Sequence, residues 1–419
     1  MMNSGSSESA LYIPDPMDCL SCNQCIPHCP TFKLQRMPQE SPQGRLKLIS
    51  KVLHDGQPLS HEEVEHLDNC LECRACERVC PSKMRYTRLL GRTRVRLPQR
   101  QIPPMVRAVR IITRYRGLKK GVFSLLRFYQ RSGIELILKK TGAFKWGRLN
   151  ELNKSLPRVS QHARLQEHYP VAGIKRGTVA LFTGCLTDVI KQSTLHSAVK
   201  LLRHLGYEVI VPRNQHCCGA IHAHNGGKKQ ADELAELNLR AFSGLDVDAI
   251  LYTASGCGST LRHYKRRNLS APEKAAAEHF ESRLVEINQF IANAQWPEQL
   301  ELKPCTQRVV VHEPCSQQYP LASHKSAYEF LQRIPQIDLQ PLAENNVCCG
   351  AGGSYMLSHS EISEAIREDK MRHLVDSQAD ILLTSNIGCA LHLGNGIRSK
   401  KLKIEVMHPV DLLARQICG

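Results

Sequence analysis

The period of the apolar positions changes along this chain, and each change marks a different kind of element. Over residues 44–53, Leu46, Leu48, Ile49, Val52 and Leu53 follow helical spacing. Residues 61–67 open on acidic side chains, Glu62 and Glu63, and close on Leu67, which predicts a second helix. From Met105 to Phe128 the apolar positions include Val106, Val109, Ile112, Leu118, Val122 and Leu125, with Arg and Lys between them. That spacing predicts two or three amphipathic helices. From about 177 onward the pattern alternates. Short β-rich runs at 178–182, 208–211, 249–253, 308–311 and 380–384 are separated by helical stretches such as 228–242 and 361–375. Alternation of this kind implies parallel sheets flanked by helices.

The expected fold class is therefore α+β and multidomain. A disordered, Ser-rich tail spans 1–16, and a helical module spans 17–90. A basic amphipathic helical linker covers 91–176, and two α/β domains cover 177–300 and 301–419. A chain of 419 residues is long enough for several domains of ordinary size.

Charge changes this picture in one place. The formal net charge is +17, yet the segment from Arg85 to Arg131 holds fourteen Lys or Arg and no Asp or Glu. Without that segment the chain carries only about +3, so its basicity is local. Three readings compete for the segment: docking on an anionic membrane face, docking on an acidic partner surface, or a solvated basic face. Membrane docking leads, because apolar and basic residues alternate at helical spacing. No nucleic-acid motif accompanies the charge. The first residues carry no basic n-region followed by an apolar run, and no stretch reaches the length needed to span a bilayer. The expected location is cytoplasmic, with peripheral contact on the cytoplasmic face of the inner membrane.

The 18 cysteines carry the chemistry. Cys19, Cys22, Cys25 and Cys29 precede Pro30, and Cys70, Cys73, Cys76 and Cys80 precede Pro81 with the same intervals. Zinc knuckles and disulfides are the competing readings, but a cysteine-rich chain without an export signal favours metal ligation. This spacing resembles the ligand pattern of bacterial-type ferredoxins, which hold two [4Fe–4S] clusters. In such proteins the fourth cysteine of each run ligates the other cluster. By that rule one cluster takes Cys19, Cys22, Cys25 and Cys80, and the second takes Cys70, Cys73, Cys76 and Cys29.

The second half repeats itself. Cys185, the pair Cys217–Cys218 and Cys257 recur as Cys315, the pair Cys348–Cys349 and Cys389, at offsets of 130, 131 and 132 residues. So regular a drift marks an internal duplication. The first and last cysteines of each copy follow predicted strands. Loops at the carboxyl ends of strands in an open α/β sheet converge on one crevice. Four thiols gathered there form a candidate soft-metal site. Cys305 and Cys418 lie outside both patterns and read as ordinary buried or surface thiols.

These motifs together resemble the iron-sulfur subunit of bacterial glycolate oxidase, over nearly the whole chain. The resemblance rests on Pro42-Gln43-Gly44-Arg45, on the stretch from His66 to Cys76 and on Thr253-Ala254-Ser255-Gly256-Cys257-Gly258. It also rests on Cys348-Cys349-Gly350-Ala351-Gly352-Gly353-Ser354-Tyr355 and Asn386-Ile387-Gly388-Cys389. It implies an electron-transfer subunit that passes electrons from an FAD-containing partner, which oxidises a 2-hydroxy acid, to a quinone or similar acceptor. Related proteins serve lactate, glycerol 3-phosphate and heterodisulfide chemistry, so a disulfide reductase stays open as the alternative. In that case His216, His222, His224 and His312 are candidate proton donors. The full heterodisulfide motif has a fifth cysteine in each copy, and Ala254 and Asn386 stand in its place here. The Cys-Cys-Gly sites are therefore open to a further iron-sulfur cluster or a zinc ion. No Gly-x-Gly-x-x-Gly follows a strand and no P-loop is present, so flavin is expected on the partner.

Overall fold

The computed structural model describes residues 15–97, 102–141, 156–159, 163–171, 173–267 and 269–418. The tail expected over 1–16 lies outside these residues except for Asp15 and Pro16, and parts of the basic linker also lie outside them. The chain forms two compact units, Met1–Gln101 and Ile102–Gly419.

Among its described residues, the regular elements of the first unit are all helical. Helix α1 (Pro42–Leu53) starts where the Ser41 hydroxyl accepts from the Gly44 amide at 2.9 Å, with Pro42 in its first turn. It buries Leu46, Ile49 and Val52 on one face, as the spacing predicts. A side chain at Gly44 would meet the Pro38 carbonyl at 2.2 Å, so only glycine admits the preceding turn. Helix α2 (His61–Asp68) begins with a reciprocal cap: Glu63 N donates to Ser60, and Ser60 N donates to the Glu63 carboxylate. Helix α3 (Tyr86–Val95) closes the core with Leu89 and Leu90, which pack on Ile49 and Leu67. The four-residue turn between the second cysteine run's Arg74 and Val79 completes the module.

The second unit contains both repeats and the basic helices. Helices α4 (Pro104–Arg114), α5 (Arg116–Arg131) and α6 (Ile134–Lys140) occupy the predicted amphipathic segment. Two sheets follow. The first runs β1 (His168–Tyr169), β3 (Tyr207–Ile210), β2 (Gly177–Phe182), β4 (Ala249–Tyr252) and β5 (Leu284–Glu286) in spatial order. The second runs β7 (Asp338–Pro341), β6 (Arg308–His312), β8 (Ile381–Thr384) and β9 (Glu405–Met407). Only β1 is antiparallel. Without β1 the two sheets share one topology, so the duplication seen in the cysteines extends to the strands. In register, Val179 pairs with Val209 and Ala249, and Val309 pairs with Leu339 and Ile381.

Parallel strands are covered on both faces and need apolar residues on both. Accordingly β4 and β8 are buried at every position. The covering helices include α7 (Gln192–His204), α8 (Lys228–Phe242), α9 (Ser255–Leu261), α10 (Ser360–Asp376), α11 (Ile387–Ser399) and α12 (Pro409–Gln416). One continuous core joins the repeats, from Val179, Leu181 and Leu202 through Ile287 to Val309, Ile381 and Leu413. Helices α7 and α12 pack across this junction, and Thr194 donates to Asp411 at 2.7 Å. Among the described residues, no helix is long and apolar enough to cross a membrane.

Candidate metal centres

In the first unit, both cysteine runs use the same backbone device. Ser21 and Asn23 in the first run, and Glu72 and Arg74 in the second, hold left-handed φ values between 51° and 62°. These are matching positions. Alternating handedness curls each run into a tight loop, a geometry that turns successive amides toward one side.

The thiols converge in crossed sets. Burial pushes the Cys25 thiol up to about 11, and Cys19, Cys80 and Cys22 beside it push the same way. Burial likewise raises Cys76 well above the ordinary thiol range, helped by Cys73, Cys70, Glu77 and Cys29. Thus Cys80 joins the first run and Cys29 joins the second. A small pocket is lined by Cys29, Cys70, Cys73 and Cys76. Four soft donors around one cavity suit an iron-sulfur cluster, which supplies the positive charge that lets such crowded thiols ionise.

The second set has company that sequence reasoning missed. Arg45 is fully buried, donates to the Cys29 sulfur at 3.7 Å and to the Thr31 hydroxyl at 2.9 Å, and pairs with Glu40. Glu40 in turn accepts from Asn69 at 2.9 Å and lies 2.7 Å from His66 Nδ1. Burial raises Cys70, while Arg45 and Arg94 pull it back. Arg94 is anchored by Glu72, Asp68 and the Leu67 carbonyl. The quoted Pro-Gln-Gly-Arg motif was the available signal for Arg45, but not for its buried acid.

In the second unit, the repeated cysteines stand at the carboxyl ends of strands. The chain leaves β2 for β3 on one side, then returns to β4 on the other. The crevice of such a reversal lies between β2 and β4. Cys185 follows β2 and Cys257 lies on α9 after β4, so they flank it. Cys217 and Cys218 reach it from beyond β3. Contacts run from Cys185 to Cys217, from Cys217 to Cys218 and from Cys218 to Cys257. The contact with Cys217 and burial push Cys185 well above the thiol range. Asn238 on α8 fixes the pair: it donates to the Cys217 carbonyl at 3.0 Å and accepts from His216 N at 2.7 Å. Tyr264 donates to the Cys218 carbonyl at 3.0 Å.

The second repeat places Cys315 after β6, the Cys348–Cys349 pair after β7, and Cys389 on α11 after β8. The Cys349 and Cys389 sulfurs are 3.2 Å apart, and Cys348 contacts Cys349. Gly350 has φ +91°, and a side chain there would meet the Ser363 carbonyl at 2.5 Å. Of the histidines considered as proton donors, His312 is the last residue of β6 and joins this group. Its ligand atom and the Cys349 and Cys389 sulfurs all lie within 4.8 Å of one another. His222 is buried and burial pushes it down to about 4. His216 is also lowered by burial, with Arg116 and Lys119 adding to the effect. Cys305 sits in the core between repeats, and Cys418 is exposed.

The loops after β4 and β8 meet. Ser255 N donates to the Ser385 carbonyl at 2.9 Å, Ser255 and Ser316 hydroxyls are 2.8 Å apart, and Asn288 donates to Ser385 at 2.8 Å. Helix α5 adds a cation beside the first site, where Lys119 pairs with Asp188 at 2.9 Å and acts on Cys185.

Comparison with known proteins agrees with this layout. Residues 17–84 match the 4Fe-4S dicluster domain family, and 179–262 and 309–394 both match the cysteine-rich domain family. The chain is 32% identical over 417 residues to a probable glycolate oxidase iron-sulfur subunit of Bacillus subtilis, covering 95% of this chain and 93% of the relative. It is 28% identical to the glycolate oxidase iron-sulfur subunit of Escherichia coli, with the same coverage of each chain. Lactate utilization protein A 2 of Bacillus cereus is 26% identical over 57% of this chain and 98% of its own length.

Proposed function

Because the chain belongs to the family of glycolate oxidase iron-sulfur subunits, we propose that it carries electrons from an FAD-containing partner to a quinone or similar acceptor. The reaction served is oxidation of a 2-hydroxy acid, glycolate, to its 2-oxo acid. The observation that carries this reading is the crossed convergence of eight cysteines in the first unit.

When bound, two adjacent [4Fe–4S] clusters supply the single-electron steps that divide a two-electron oxidation at a flavin. Cys19, Cys22, Cys25 and Cys80 hold the outer one, where Cys22 is exposed. Cys70, Cys73, Cys76 and Cys29 hold the inner one. Arg45 donates to a ligand sulfur of the inner set and so favours its more negative, reduced charge state. Leu71 and Tyr86, both buried, keep water from it. The exposed Cys22 makes the outer set the natural contact for a partner. With flavin and the hydroxy-acid site on the partner, this chain is a conduit that works as a subunit. The Cys-Cys-Gly cysteines Cys185, Cys217, Cys218 and Cys257 of the first repeat, and Cys348 and Cys349 with Cys389 of the second, hold further soft metal.

The basic helices supply the approach to the acceptor. On α5, Leu125 is 71% exposed and Phe128 64% exposed, among Lys120, Arg127 and Arg131. Exposed apolar side chains within a basic helix suit the headgroup layer of an anionic membrane.

Anaerobic co-purification of the tagged chain, assayed for dye reduction with glycolate, D-lactate and L-lactate, tests the reading. The expected result is a flavin-containing complex that oxidises glycolate best. A chain that purifies without flavin and reduces disulfides would overturn it.

A further inference from the structure

The two repeats are not chemically alike. At the end of β2 the first repeat has Phe182, a core residue, beside its four touching thiols. At the matching end of β6 the second repeat has His312. This imidazole is 1% exposed, and neither of its ring nitrogens makes a hydrogen bond of normal geometry. Asn345 approaches it without closing such a bond, and buried polar groups are almost always fully partnered, so this imidazole demands a reason. Beside it stand Cys349 and Cys389, themselves buried, with all three ligand atoms within 4.8 Å.

We propose that the second repeat binds one zinc ion through His312, Cys349 and Cys389, with Cys348 as its fourth ligand. Three thiolates and one imidazole are a donor set of structural zinc sites, whereas an all-thiolate set like that of the first repeat also suits iron-sulfur clusters. Cys348 contacts Cys349, which makes it the candidate for the fourth position. Binding involves no electron transfer. The thiols release their protons to solvent as the Zn–S bonds form, and the imidazole lone pair makes the Zn–N bond. Zinc with three thiolates carries one net negative charge. The buried Lys370 ammonium, which acts on Cys349 and Cys348, offsets it.

The site also has a structural purpose. His312 ends a strand of one crevice wall, Cys389 begins α11 on the other wall, and the Cys-Cys-Gly loop lies between them. A metal there staples the crevice whose Ser385 carbonyl meets the first repeat.

The test uses the full chain purified anaerobically with its clusters, with iron and zinc measured together and zinc K-edge absorption recorded. The expected result is about one zinc per chain with a mixed sulfur and nitrogen shell. His312→Phe, which copies the first repeat, should lose that zinc while the iron content and the cluster EPR signals stay unchanged. An all-sulfur shell, zinc retained in His312→Phe, or extra iron in place of zinc would each overturn the proposal. If His312→Phe fails to fold, the wild-type absorption shell decides alone. Loss of the ferredoxin-type iron with the zinc shell intact would count against the electron-transfer reading and not against this site.

Discussion

Arg45 donates to the sulfur of Cys29 across 3.7 Å while it pairs with the buried carboxylate of Glu40. One guanidinium thus touches a candidate cluster ligand and neutralises an acid that would otherwise stand uncompensated. A buried pair of this kind is costly to break on one side only.

Arg45→Met should therefore do two separable things. It should lower the reduction potential of one cluster, because a nearby cation and a hydrogen bond to sulfur are lost. It should also destabilise the first unit by about 3–5 kcal/mol, since Glu40 remains buried and unpaired. The double variant Arg45→Met with Glu40→Gln should recover much of the stability but not the potential. EPR-monitored redox titration beside thermal melting separates the effects. A potential unchanged in both variants would remove Arg45 from any tuning role.

The crossed cysteine sets predict an exchange of phenotypes. Cys80→Ser should lose the same EPR signal as Cys22→Ser, and Cys29→Ser the same signal as Cys73→Ser. Each variant should keep roughly half its cluster iron, because each set serves one cluster of two. If Cys29→Ser instead matches Cys22→Ser, each run ligates its own cluster.

The basic helices predict binding to anionic vesicles that fades as salt rises and the Debye length shrinks. Leu125→Asp with Phe128→Asp should weaken it further, because both side chains are exposed and carry no core packing. Cosedimentation at two salt concentrations, against neutral vesicles, reads this directly. Equal binding to neutral vesicles would exclude the electrostatic part.

Glu286 gives a pH signature. It is buried at the end of β5, accepts from Gln289 N at 3.1 Å and from Asn288 at 2.9 Å, and burial lifts its carboxyl to about 8. The folded state therefore holds this proton more tightly than the unfolded chain does. The group's contribution is fully present below the unfolded value near 4.5 and is lost as pH rises through about 8. The slope is at most about 1.4 kcal/mol per pH unit. Glu286→Gln should match the wild type near pH 4 and exceed its urea midpoint at pH 8. A parallel pH profile for the two proteins would refute the assignment.

Much of the fold is legible along the chain, because local rules govern it. Helical spacing at Leu46, Ile49 and Val52 marks α1, and the β-rich runs mark β2, β3, β4, β6 and β8. Strand β7 escapes, because Asp338-Leu339-Gln340-Pro341 is a half-exposed edge, where one proline and polar residues are tolerated. Strands β5 and β9 are three residues long, too short to show a period.

The sequence by itself determined which thiols exist, their intervals and their duplication, because ligand spacing within a loop is a local property. Tertiary structure decided which thiols meet. It placed Cys80 beside Cys25 and Cys29 beside Cys76, and it set Glu40 against Arg45. It also tied the basic helices to the first repeat through Arg114–Glu233 at 2.6 Å and Lys119–Asp188 at 2.9 Å. Above all it turned His312 toward Cys349 and Cys389 while Phe182 fills the same strand position in the first repeat. Those pairings join residues from 5 to 119 positions apart, and burial of charge and closure of the two sheets select them; no periodicity along the chain encodes them.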